Sequence, residues 1–181
     1  MNVRHSVLIL FAAGLVSSCG GVPPAAVPPT TAPATPLVHL TESNPPGDIP
    51  DDTVYVVYRH PGRPYELKVP EGWARTDLPT GAGFTDKLNS VRVEIGAPAD
   101  PPGAEIRKRA TVNRKGGKAE LTVYRIDSAP DPVTGKVIRD EVERYVFSRN
   151  GRQAVLTLTG PVGADNVDPW RTVSDSLRWL S

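Results

Sequence analysis

Apolar positions along the chain fall into three regimes. Residues 7–16, VLILFAAGLV, form an unbroken apolar run; residues 20–50 carry few large apolar side chains; from residue 51 onward apolar and polar positions alternate. Alternation places successive side chains on opposite faces of a strand, so the third regime predicts a sheet. Thr53–Arg59 is rich in β-branched and aromatic residues, as a strand requires. Tyr65, Leu67 and Val69 share one face of the next strand, with Glu66 and Lys68 on the other. Pro70-Glu-Gly-Trp73 reads as a turn, residues 83–86 as a short strand, and Val91, Val93 and Ile95 as the inward face of another. Two further strands, 106–113 and 119–127, are expected to join at Arg114-Lys-Gly-Gly-Lys118.

Asn150-Gly151 is a strong hairpin signal between strands 136–149 and 152–159. A two-residue loop there pairs Arg149 with Arg152, Phe147 with Ala154, Tyr145 with Leu156 and Glu143 with Leu158. On the other face it pairs Val146 with Val155 and Val142 with Thr159. Apolar pairs on both faces imply a sheet centre covered on both sides. The chain is expected to close in a helix opened by Asp168 and Pro169, with Trp170, Val173, Leu177 and Leu180 at helical spacing. The fold class is therefore α+β: a largely antiparallel sheet with a C-terminal helix packed on it.

The first regime has a different meaning. Arg4, the short apolar run and Ser17-Ser18-Cys19 together read as a secretory signal peptide over residues 1–18, because ten residues span only about half of a bilayer core. Val16-Ser17-Ser18-Cys19 resembles the lipobox of bacterial lipoproteins. That resemblance implies acylation of the Cys19 sulfur, palmitate among the acyl chains, and cleavage before Cys19. Two acyl chains hold a protein stably on a membrane, so the expected location is the extracytoplasmic face of the cell membrane, with the lipid anchor as the membrane partner.

Nine prolines lie between Val22 and Pro50. They deny backbone donors and their small neighbours bury little, so residues 19–50 are expected to be a lipidated tether that forms no core. Stretched as polyproline II, this tether reaches at most about 95 Å. The folded domain is then expected over residues 51–181.

Read in order, YELKVPEGW, GFTD before VRVEI, DPVTGK leading into two long strands, and a closing SDSLRWL resemble the PsbP-like family, which includes small lipoproteins of GC-rich Gram-positive bacteria. The resemblance implies the α+β fold. Family roles range from stabilising a photosynthetic metal centre to binding a GTPase, so it transfers no functional residue.

Composition narrows the chemistry. The net charge of +1 and the absence of aromatics among the basic residues argue against a nucleic-acid partner, and one cysteine excludes disulfide frameworks and Cys-rich zinc sites. His60 stands alone in its turn, and Asp127, Asp131 and Thr134 lack calcium-loop spacing. No metal or cofactor is expected. Glu141 and Glu143 share a strand face, with Asp140 opposite, and read as solvated edge residues; the alternative makes them the carboxylates of an envelope hydrolase. One charge feature stands out. Arg107, Lys108, Arg109, Arg114, Lys115 and Lys118 follow one another with no intervening acid, giving a local charge of +6. They read first as protection of a sheet edge, and second as a contact for an anionic surface. The expected function is a non-catalytic binding or accessory domain of the cell envelope, whose partner is a protein, a lipid or a small ligand.

Overall fold

The computed structural model describes residues 45–181. The expected signal peptide, Cys19, His39 and most of the tether lie outside the described residues. Two layers enclose the core. The smaller holds β1 (Tyr55–Arg59) and β2 (Tyr65–Pro70), an antiparallel hairpin, with the short β10 (Arg178–Trp179) added to the free side of β2. The larger is a seven-stranded antiparallel sheet. Its strands in chain order are β3 (Ala74–Leu78), β4 (Gly81–Asp86), β5 (Asn89–Ile95), β6 (Glu105–Arg114), β7 (Gly117–Asp127), β8 (Arg139–Arg149) and β9 (Arg152–Pro161). In space they run β3-β4-β5-β9-β8-β7-β6. Helix α1 (Val167–Ser176) lies against β2 and shares one buried cluster with both layers. The protein is α+β, as expected.

The long hairpin forms in the expected register, including Phe147 with Ala154, Tyr145 with Leu156 and Val146 with Val155. Asn150 and Gly151 take φ of 50° and 72°, the left-handed pair that matches a two-residue turn to strand twist. Tyr145, Phe147, Leu156 and Leu158 face the hairpin and helix, where Tyr65, Leu67, Val69, Trp170, Val173 and Leu177 meet them. On the opposite face Tyr124, Val142 and Val146 are also buried, so the sheet centre is apolar on both sides.

Four expectations are corrected. Strand β3 was not foreseen, because ARTDL has no apolar alternation and lies at a sheet edge with most of its side chains exposed. The helix begins at Val167 with Asn166 at its N-cap, and Asp168 lies inside it. It also ends earlier than the spacing suggested: Leu177 is already extended, and Arg178–Trp179 pair with Glu66 and Tyr65 of β2. Glu66 is buried, because Arg59 and Arg178 close over it from the outer face, at 2.7 and 2.5 Å.

The fourth correction moves the domain boundary. Residues 45–50 belong to the folded unit, not to the tether. Ile49 is 5% exposed and part of the core. Its amide donates to Asn166 Oδ1 at 2.9 Å, while the side-chain amides of Asn89 and Asn166 both donate to the Gly47 carbonyl. Two asparagines spend their amides on this docking, which is why Asn166 makes no side-chain cap bond to its own helix.

Candidate functional site

The basic hairpin does not present its six cations together. Alternation along β6 and a bulge between Ile106 and Lys108 send neighbouring residues to different faces. Arg107 pairs with Glu105 at 2.5 Å, and Arg109 with Asp100 at 2.5 Å. Lys108, Lys115 and Lys118 are exposed.

Arg114 is a structural residue. Its Nε donates to Ser174 Oγ at 3.0 Å and its Nη2 to the Tyr145 hydroxyl at 2.9 Å, with the guanidinium over the Tyr145 ring. Tyr145 in turn donates to Glu143 Oε2 at 2.6 Å. Burial first, then Glu143, pushes the Tyr145 phenol up to about 12, so it stays a donor. The adjacent turn is equally fixed, since a Cβ on Gly116 would run into the Leu177 carbonyl oxygen. Strand β6 is thereby tied to the end of α1.

Both candidate carboxylates are engaged by neighbours. Glu141 accepts from Arg125 at 2.8 Å, and Glu143 from Tyr145. Asp131 accepts from the Val133 and Thr134 amides and the Thr134 hydroxyl, a turn interaction that holds its carboxyl below the usual range. His60 sits half-buried between Tyr58 and Tyr65, and its Nδ1 has no hydrogen-bond partner.

What the structure adds is a groove of about 670 Å³ on the outer face of the smaller layer. The hairpin forms its floor, with Val57 opposite Lys68; α1 forms one wall through Asp168, Arg171 and Asp175; Lys115 closes one end and Arg178 lies beside Glu66. Arg59 first, then Arg178, holds the Glu66 carboxyl below the usual range, so it stays ionised and internally compensated. Asp175 lies within 4.0 Å of both Arg114 and Arg171. Val57 remains 57% exposed on the groove floor, and the Lys68 and Lys115 ammonium groups have no carboxylate within salt-bridge distance among the described residues. Such a surface can grip an extended chain through an apolar contact and two cations. Of the six cations singled out in the sequence, only Lys115 lines it. No sequence signal marked the rest, because strand β2, helix α1 and the β6–β7 turn are distant in the chain.

No protein-family model matches the chain, and no curated protein matches it. Among solved structures it is similar to cyanobacterial PsbP (CyanoP) from Synechocystis sp. PCC 6803. That likeness has a TM-score of 0.48 and 16% identity, and covers 74% of this chain and 98% of that one. It is also similar to a crystal structure from Bacteroides thetaiotaomicron VPI-5482, with a TM-score of 0.46 and 11% identity. The match covers 69% of this chain and spans about half, 48%, of that one. Among the described residues no helix is long and apolar enough to cross a membrane.

Proposed function

We propose that this chain is a PsbP-like domain carried on the extracytoplasmic face of the cell membrane by a lipid on Cys19. There it acts as a non-catalytic binding or accessory domain that holds an envelope partner in the groove beside α1. The supporting observation is the groove itself: its buried acid is compensated internally, while an exposed valine and two cations remain available. A partner segment that is extended, apolar at one position and negatively charged beside it fits this surface.

Two measurements test the reading. Wild-type protein should partition into detergent, and Cys19→Ala should abolish that; wild type remaining in the aqueous phase rules out the lipid anchor. A photo-crosslinker at position 57 in intact cells should give one discrete adduct, lost on Lys115→Glu. The same crosslinker at position 133, an exposed loop tip, is the control. Equal adducts from both positions overturn the groove.

A further inference from the structure

Strand directions sort the turns of the domain into two ends. The turns at residues 60–64, 79–80, 115–116 and 150–151 gather at one end with the last residues of the chain, where Pro64, Arg149 and Leu180 line one hollow and Gly116 abuts Leu177. Residues 47–52, 71–73, 86–88 and 162–166 gather at the other, where the Gly47 carbonyl accepts from Asn89 and Asn166.

Unpaired charge is divided between these ends by sign. Arg63, Lys115, Lys118, Arg149 and Arg152 belong to the first, and none has a carboxylate within salt-bridge distance among the described residues. The acids nearest them, Glu66, Asp77, Glu94 and Asp175, are each within 4.0 Å of an arginine already. At the second end Asp48, Asp51, Asp52, Glu71, Asp86 and Asp165 have no salt-bridge partner among the described residues, and Lys87 is the one cation in those segments. A net charge of +1 therefore conceals a basic end and an acidic end. Charge that serves solubility alone intersperses both signs, whereas a single-signed end steers an oppositely charged partner. Of the six cations that stand together in the sequence, only Lys115 and Lys118 take part; the other three arrive on separate turns.

The basic end also has shape. Two adjoining hollows of about 420 Å³ each share Arg149 and Trp179. Lys115 and Lys118 border one, and Arg152, Leu180 and Ser181 the other. Trp179 and Leu180 are half-buried, which leaves part of each apolar side chain open among the cations. Even with one negative charge counted for a carboxylate at Ser181, four of the five positive charges remain uncompensated.

We propose that this end rests on an anionic lipid surface, with headgroup phosphates in the two hollows and the Trp179 ring at headgroup level. Cations at the tips of two hairpins meet a flat layer together, and a tryptophan beside them suits the boundary between headgroups and acyl chains, which a nucleic acid or an acidic peptide does not offer. The acidic end is repelled by the same surface, so the field sets orientation as well as affinity. Residues 20–44 span at most about 85 Å, while an eleven-residue strand covers about 36 Å. An anchor at Cys19 thus lets the basic end reach the membrane although the chain enters the domain at the other end. The proposal rests on the membrane location proposed above and not on the α1 groove.

The test uses the chain from Gly20, which carries the whole folded unit, no acyl group and no cysteine. It should co-sediment with phosphatidylcholine vesicles that contain phosphatidylglycerol and not with phosphatidylcholine alone, and binding should weaken as salt rises. Arg149→Gln with Arg152→Gln should weaken binding about thirtyfold, and Lys118→Gln, on the other turn, about fivefold. Asp51→Asn with Asp52→Asn should not weaken it. Lys115 also borders the α1 groove and stays unchanged, which keeps the two sites separate. An environment-sensitive dye on Ser148→Cys, beside Arg149, should shift to the blue on binding, while the same dye on Val133→Cys, in the loop at the acidic end, should not. Equal binding to neutral vesicles, indifference to the basic substitutions, a dye response at position 133 in place of 148, tighter binding to duplex DNA, or end-to-end assembly of the protein in place of vesicle binding would each overturn the proposal. Because this chain has no acyl group, such a failure leaves detergent partitioning, the test of the anchor, unaffected.

Discussion

The backbone amide of Ile49 donates to Asn166 Oδ1 at 2.9 Å, joining residues 117 positions apart at the mouth of α1. The proline-rich stretch of sequence thereby ends in a docked residue, and the fold begins before Asp51. Chains starting at Asp51 should melt below chains starting at Gly20. The loss should be about 2 kcal/mol, the worth of burying one isoleucine. Equal midpoints in chemical denaturation would return residues 45–50 to the tether.

The six cations of the basic hairpin should separate on mutation. Arg114→Gln removes donors to Tyr145 and Ser174 and leaves buried acceptors exposed to no replacement, which should cost about 2 kcal/mol. Lys118→Gln and Lys108→Gln should each fall within about 0.5 kcal/mol of wild type. Urea midpoints of the three variants measure the contrast directly, and equal effects would show that Arg114 is only another surface charge.

Asp100 gives the fold a defined acid response. Hydrogen bonds first from Arg144 and then from Arg109 hold its carboxyl below the usual range. A carboxyl depressed in the folded state contributes its full stability above its unfolded value, about pH 4. That contribution is lost as pH falls through the folded value. Asp100→Asn should therefore lower stability at neutral pH and flatten its fall on acidification. A variant that loses stability with the same acid slope as wild type would contradict the linkage.

Gly151 tests the hairpin. At φ of 72° it holds a left-handed conformation that a Cβ disfavours, so Gly151→Ala should cost about 1 kcal/mol. Gly83, which has ordinary φ and open space around it, provides the comparison site. Thermal midpoints of Gly151→Ala and Gly83→Ala should differ in that order.

The sequence by itself determined the elements whose signals are local. The register of β8 and β9 follows from Asn150-Gly151 and from alternation with a period of two, since a slip of one residue would turn Phe147 and Leu156 to the wrong face. The inward sets of β2 and β5 and the burial of Trp170 and Val173 follow from periodicity in the same way. Strand β3 was invisible because an exposed edge strand needs no apolar pattern. Tertiary structure alone decided where charged residues end up. Arg114, read in the sequence as protection of a sheet edge, is instead held by Ser174, while Arg144 and Glu66 are buried against Asp100 and Arg178, partners that arrive from remote segments. The α1 helix stops at Ser176 for a related reason. Its periodicity continued to Leu180, but the free edge of β2 offered Arg178 and Trp179 a strand to pair with. The groove beside α1 depends on such long-range meetings, and a pattern along the chain carries no record of which segments will face one another in space.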